Sequence, residues 1–318
     1  MNNPLVSICS ITYNHAPFIR QCLDGFLMQQ CNFPIEIIIN DDCSTDGTTE
    51  IIREYAEKYP DKIFPIFHVE NQWSKGERGI FQKFVFPKAR GKYIALCEGD
   101  DYWTDPLKLQ KQVDFLESHP ECSLCCHAVK FVSFNGLDNP LRNKCLSEGI
   151  YKHGDISIAT GSAVVRSHCA KSAPEHPGLR VGDDVLWLTC ATQGSFYYMN
   201  DEMGVYRLHA GSWSVTAAPK SIMDEIAHYT LFYNSAMEAF SKDTHPYIKR
   251  MLAKRLIVWQ RLIYKSQLIV AVSLFIKAMK LCPNEYIDIV RTSTRNKFVR
   301  ISMFLLSFVW KITSRLLG

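Results

Sequence analysis

The chain has 318 residues, 47% of them hydrophobic, enough to bury a sizeable core and to form one large domain plus an appendage. Twelve cysteines fall at irregular spacings, and Met1 to Pro4 run directly into an apolar stretch that reads as a strand, so no signal peptide is expected and the thiols are expected to be reduced and cytosolic, not a disulfide framework. The net charge of +4 is unevenly spread: Lys249 to Gly318 holds 14 Lys or Arg against 2 acids, leaving 22 against 30 in the residues before it, so an acidic body carries a basic tail of the kind that meets nucleic acid or an anionic membrane.

Leu5 to Thr12 (LVSICSIT) reads as a first strand, followed by Tyr13, Asn14 and His15 and then a helical stretch from Pro17 to Gln30. Ile35 to Asn40 (IEIIIN) is a continuous β-branched run, the pattern of a strand covered on both faces. It ends in Asp41 and Asp42, a turn-rich CSTDGT and a helix over Thr48 to Tyr59, with Ile51, Ile52, Tyr55 and Ala56 on one face. Lys62 to Val69 (KIFPIFHV) is a third strand. The alternation of strand and helix predicts a parallel sheet with right-handed crossovers.

Next comes KYIALCEGDDYWTDPLKL, in which the apolar run Tyr93 to Cys97 ends in Glu98, Asp100 and Asp101. Carboxylates this close raise one another's pKa unless a cation neutralises them, and hard oxygen ligands at a strand end suit Mg²⁺ or Mn²⁺. The alternative is a solvated acidic turn opening a helix over Asp105 to Ser118, with Asp105 as N-cap and Pro106 at the first helical position. Because the strand before Asp41 ends in carboxylates too, one crevice at the carboxyl edge of the sheet can gather both sets, which favours a site.

Taken together, SITYN, IEIIINDDCSTDGT and GKYIALCEGDDYWTDPLKLQKQVDFLESHPE resemble the nucleotide-binding half of family 2 glycosyltransferases with the GT-A fold, over about Pro4 to Ser214. The resemblance implies an α/β, Rossmann-like mixed sheet flanked by helices, an inverting transfer from a nucleotide-sugar donor such as a UDP-sugar, and a divalent cation, Mn²⁺ or Mg²⁺. It places Thr12, Tyr13 and Asn14 in the nucleotide site, and Asp42 as acceptor of the uracil imide N–H. The family's D-x-D motif falls on Glu98, Gly99 and Asp100, with Glu where the family has Asp; the resemblance implies Glu98 and Asp100 at the nucleotide, and Asp100 with Asp101 at the metal.

Farther on, ECSLCCHAVKFVSF carries Cys122, Cys125 and Cys126 between His119 and His127. A zinc site is one reading; a strand whose cysteines serve as small buried hydrophobes is the better one, because no second ligand pair with finger-like spacing follows. Thr160 to Arg166 (TGSAVVR) resembles a structural strand of the family's acceptor side. In GLRVGDDVLWLTCATQG, Asp183 and Asp184 open a helical pattern, where one of them can be an N-cap. The resemblance makes the second acid of this pair, Asp184, the general base that takes the acceptor hydroxyl's proton, with Asp183 as the other candidate. VYRLHAGSWS matches the family's last motif, implying His209 at the metal or diphosphate and Arg207 and Ser212 near phosphate. Trp103, Trp187 and Trp213 are either sugar platforms or core.

Beyond Pro219 the chain reads as helical over 221–241, 246–281 and 294–317, with no run of about 18 uninterrupted apolar residues, so no spanning helix is expected. In the last segment Lys297, Arg300, Ser307, Lys311 and Ser314 form a polar stripe against Phe298, Ile301, Phe304, Leu305, Phe308, Trp310, Ile312 and Leu316. This fits a helix lying in a membrane interface or one docked on the protein's own core. The organisation expected is a catalytic domain over 1–218 and a basic helical region over 219–318, peripheral on the cytoplasmic membrane face, with a polysaccharide or lipid-linked glycan as acceptor. Two other readings compete: a nucleotidyltransferase, which would want a Gly-rich, Lys-bearing loop that is absent here, and a nucleic-acid-binding protein, disfavoured because the tail interleaves bulky aliphatics with its charges.

Overall fold

The computed structural model describes residues 3–133, 146–151, 156, 158–174, 182–212, 222–263, 276–277 and 280. They fall into two compact units, one holding the sheet and its helices through Ser212 and the other the helices Ile222–Ala239 and His245–Ile263. Among the described residues no helix is long and apolar enough to cross a membrane. Trp213, the amphipathic stretch 294–317 and most of the expected 246–281 helix beyond Ile263 lie outside them.

The first unit is built on a mixed sheet, nine-stranded among the described residues. Its parallel half is β1 (Val6–Thr12), β2 (Ile35–Asp41), β3 (Ile63–Phe67) and β4 (Tyr93–Glu98), in the order β3-β2-β1-β4. Crossovers carry α1 (Ile19–Leu27) and α2 (Thr48–Lys58); before β4 the chain makes a π turn over Phe81–Val85 and a tighter turn over Phe86–Lys88. Alternate strand residues serve opposite faces: Ile37 and Ile39 pack with Ile8, Leu23 and Phe26, while Ile38 packs with Cys9, Leu96 and Phe86. Both faces of IEIIIN are therefore covered, which accounts for its lack of polar alternation.

The other half adds β5 (Tyr102–Trp103), β6 (Cys122–Ser133), β7 (Gly149–Tyr151), β8 (Val164–Arg166) and β9 (Ser195–Leu208), with α3 (Lys108–Ser118), α4 (Ser167–Lys171) and α5 (Gly182–Ala191) beside them. Antiparallel β8 joins β4 to β6, β6 runs parallel to β9 through three register shifts, and β5 and β7 pair antiparallel with β9. This is the α/β mixed sheet flanked by helices that the resemblance implies; the parallel sheet read from the alternation of strand and helix is its β3-β2-β1-β4 half. Cys122 and Cys125 join one side of the core and Cys126 the other, all buried and free, the behaviour of small hydrophobes on a strand. One boundary differs from expectation. α3 begins at Lys108, because Asp105 caps an earlier turn instead: its Oδ1 accepts the Leu107 N–H at 2.8 Å and its carbonyl the Lys108 N–H at 3.2 Å.

The first residue of α3 is a fully buried lysine. Lys108 Nζ donates to Gln112 Oε1 at 2.8 Å and lies 4.0 Å from the Trp103 ring centroid, while Gln112 Nε2 donates to the carbonyls of Cys125 and Ser162. Burial pushes the ammonium down to about 7, against an opposing pull from nearby thiols. The unfolded chain then holds a proton between pH 7 and 10 that the native state lacks, so this group makes stability rise with pH over that window. Lys108→Met should remove the contribution: the wild-type-minus-variant difference in denaturant unfolding should grow by on the order of 2 kcal/mol between pH 7 and 9.5. A pH-independent difference would mean that Lys108 stays protonated in the fold.

Candidate active site

The strand register sets the location. Thr12 at the end of β1 lies opposite Asp41 on β2, and Ile11 lies opposite Glu98 on β4, so three strands deliver their last residues to one edge. The chain after Glu98 crosses directly over the end of β1: the Gly99 N–H donates to the Ile11 carbonyl at 2.9 Å, and a Cβ on Gly99 would stand 2.6 Å from Thr12 Oγ1. Only glycine permits this approach.

The turn then presents Asp100 and Asp101, both held by Arg207 from β9. Its backbone N–H donates to Asp101 Oδ1 at 2.8 Å, its Nη1 to the Asp100 carbonyl at 2.5 Å, and its Nη2 to Gln21 Oε1. The guanidinium lies 4.2 Å from the Tyr102 ring centroid and 5.2 Å from that of Phe18. Arg207, expected near phosphate, is thus a buried brace for the acidic turn. Ser212 is likewise buried, its Oγ accepting the His209 N–H at 3.0 Å, which fixes the loop bearing that histidine.

His209 Nε2 stands 3.1 Å from Asp100 Oδ2, and His15 Nε2 stands 3.9 Å from the same oxygen. Ligand atoms of His15, Asp100 and His209 lie within 4.8 Å of one another, as do those of Glu98, Asp100 and Asp101. Burial would raise the Asp100 carboxyl, but the His209 hydrogen bond and the adjacent His15 outweigh it and hold it below the usual carboxylate range. Glu98 is driven well up by burial and by the charges of Asp183, Asp100 and Asp101, and Asp101 is driven up by burial and by Asp100. Carboxylates that resist ionising beside one held ionised, with two imidazoles at the rim, form a donor set that a divalent cation fits: it relieves the repulsion and accepts both oxygen and nitrogen.

On the nucleotide side, Tyr13 is 46% exposed and Thr12 is buried. Asn14 adopts a left-handed φ of 54°, a conformation that asparagine tolerates. Its N–H donates to Ser44 Oγ at 2.8 Å and its Oδ1 accepts the Thr45 N–H at 2.9 Å, so it ties the β1 loop to the β2 loop. Asp42 accepts the N–H groups of Gln72 at 2.7 Å and Trp73 at 3.0 Å, one on each carboxylate oxygen. A carboxylate has about four acceptor positions, so capacity remains for a base N–H. Sequence reasoning missed this neighbourhood: Trp73 is 39% exposed, with the Arg78 guanidinium 3.8 Å from its ring centroid.

Asp183 and Asp184 open α5, and Asp183 Oδ2 accepts the Thr160 hydroxyl at 2.9 Å. Burial raises the Asp183 carboxyl most; Thr160 opposes the rise and the Asp184 charge adds to it, leaving it at about 6. The Asp183 charge is also among those that raise Glu98, so this acid acts on the β4 turn. Trp103 and Trp187 do not face it. Both are core residues, Trp103 donating from Nε1 to the Gly161 carbonyl at 2.7 Å.

Residues 7–170 match the family described as Glycosyl transferase family 2. The chain belongs to that family. An uncharacterized protein of Mycobacterium tuberculosis is 41% identical over 218 residues, 65% of this chain and 60% of the other; the match thus spans less than two thirds of the relative's length. An uncharacterized glycosyltransferase of Nostoc is 28% identical over 224 residues, covering 67% of each chain. Among solved structures, residues 1–349 of Staphylococcus aureus TarS in complex with UDP-GlcNAc superpose with a TM-score of 0.60 at 17% identity, covering 91% of this chain and 81% of that one. The mannosyltransferase PcManGT of Pyrobaculum calidifontis, in complex with GDP-Man and Mn²⁺, gives 0.52 at 16% identity, covering 97% and 88%. At those identities the likeness is one of fold, and the fold is GT-A.

Proposed function

We propose that this family 2 protein is an inverting, metal-dependent glycosyltransferase that moves a sugar from a nucleotide-diphosphate donor, UDP-linked in the first instance, to a hydroxyl of a polysaccharide or lipid-linked glycan precursor. The observation that carries this is the gathering of the β4 acidic turn and His209 at one sheet edge, with Asp183 of α5 near enough for its charge to raise Glu98. TarS and PcManGT support the donor class, since their structures hold UDP-GlcNAc and GDP-Man. Asp42, with Thr12, Tyr13 and Asn14, would receive the base and ribose, with Glu98 and Asp100 also on the nucleotide side. Asp100, Asp101 and His209 would hold the Mn²⁺ or Mg²⁺, which when bound supplies Lewis-acid stabilisation of charge on the departing diphosphate. Asp184 would take the acceptor proton as the hydroxyl attacks the anomeric carbon from the face opposite the leaving group. The test is a screen of nucleotide sugars for cation-dependent release of nucleoside diphosphate, with and without glycan acceptors; turnover of nucleoside triphosphates in place of sugars would favour a nucleotidyltransferase.

The 14 basic residues against 2 acids after Ile248 support attachment of the tail to an anionic membrane surface, where a lipid-linked acceptor resides, at about 1 kcal/mol per basic residue near the surface. The intact protein should float with anionic liposomes, lose that association at high salt and lose it when 297–318 is removed. Equal flotation with neutral liposomes, or none with either, would sink this reading.

A further inference from the structure

His15 lies in the loop between β1 and α1, and its backbone is fixed on both sides. Its N–H donates to Thr48 Oγ1 at 2.9 Å, and its carbonyl accepts the N–H groups of Phe18 at 2.8 Å and Ile19 at 2.9 Å, closing the turn into α1. The side chain, 15% exposed, points at the acidic turn with Nε2 3.9 Å from Asp100 Oδ2. The ring stands perpendicular to that of His209 at a centroid distance of 5.9 Å, and Phe18 packs against both, 6.4 Å from His15 and 4.6 Å from His209.

This imidazole has no hydrogen bond within the protein among the described residues. Nδ1 is buried without a partner, and Nε2 stops short of Asp100 by more than hydrogen-bond reach. Nε2 is the ring atom turned toward the acidic turn, and with no partner among the described residues it is available to engage a ligand there. The spacing names the ligand. Two atoms that each lie about 2.1 Å from one ion are about 3 Å apart at a right angle and about 4.2 Å apart when opposite. The separations of Asp100 Oδ2 from His209 at 3.1 Å and from His15 at 3.9 Å fall in that interval.

We propose that His15 is a ligand of the cation held by Asp100 and His209, making a site with two imidazoles, and that it shifts the site's preference away from Mg²⁺ toward Mn²⁺ and, further, Co²⁺. The proposal rests on the metal-dependent reading above and adds to it a residue and an ion preference. Imidazole nitrogen strengthens binding along the first-row series, whereas Mg²⁺ favours oxygen and water. The β1 loop thereby becomes coupled to the metal: the same backbone that carries Thr12, Tyr13 and Asn14 to the nucleotide carries His15 to the ion.

The test is calorimetric titration of the full chain with MgCl₂, MnCl₂ and CoCl₂, together with the visible absorption spectrum of the Co²⁺ form. His15→Gln should weaken Co²⁺ and Mn²⁺ binding by about tenfold or more, change the Co²⁺ spectrum and leave Mg²⁺ binding within about twofold. His15→Phe retains a ring against Phe18 and His209 but offers no nitrogen, and should show the same losses with a native thermal transition. If both variants bind all three ions like the wild type while His209→Ala does not, His15 is a packing residue and the proposal is overturned, with the metal-dependent reading intact. A wild type that binds none of the three ions overturns both.

Discussion

Asp100→Ala should abolish sugar transfer and, in the presence of Mn²⁺, weaken UDP binding, while the protein keeps its fold. Asp100 is the residue shared by the two groups of candidate ligands, and it is the acid of the turn whose carboxyl is held below the usual range, whereas Glu98 and Asp101 are driven up. Its removal takes away the most readily ionised of the candidate oxygen ligands and the partner of His209. The effect on turnover should reach or exceed about 10² to 10³, the scale on which loss of one preorganised electrostatic contact acts in a desolvated site. Stability should change little or improve, because deleting one member of a repelling cluster relieves Glu98 and Asp101. Calorimetry of UDP with and without Mn²⁺, steady-state turnover and thermal unfolding read the three parts separately. EDTA should reproduce the defect in the wild type; full wild-type activity in EDTA would show the cation assignment to be wrong.

The carboxylate edge was legible in the sequence because side-chain period and the alternation of strand with helix are local properties. IEIIIN and YIALC announce strands covered on both faces, and a parallel register carries their terminal acids to one edge. What escaped is set by contacts distant in sequence. Nothing around Arg207 distinguishes a phosphate ligand from a brace; its partners Gln21 and Asp100 lie 186 and 107 residues away. His15 reads as an ordinary loop histidine until the chain after Gly99 crosses over β1 and brings Asp100 to it. The segment Val69 to Lys92 has too little periodicity to read, yet it supplies the N–H groups that hold Asp42. The long pairing of β6 with β9 bends through three register shifts, and such bulges break the alternation by which a strand is recognised.

Asp184→Asn should lower transfer by roughly 10² to 10⁴ with donor affinity almost unchanged, because the amide keeps size and hydrogen bonding but cannot accept the proton. The difficulty is that Asp183 stands beside it with a carboxyl at about 6, a value suited to a base working near neutral pH. The pair titrates as a unit, so the wild-type kcat/KM should rise with pH through about 6 and then level, the base being active only when ionised. The variants separate the two roles by what happens to that acid limb. If Asp184 is the base, the residual activity of Asp184→Asn has no carboxylate left to titrate productively and the limb disappears. If Asp183 is the base, the limb survives in Asp184→Asn but moves to lower pH, since the Asp184 charge is one of the forces raising Asp183. Asp183→Asn supplies the complementary measurement: its amide oxygen can still accept the Thr160 hydroxyl now bonded to Asp183 Oδ2, so orientation is preserved and only a small change in kcat is expected. A large kinetic defect in Asp183→Asn alone would exchange the assignments, and a matching loss of donor affinity in Asp184→Asn would make Asp184 a binding residue instead of the base.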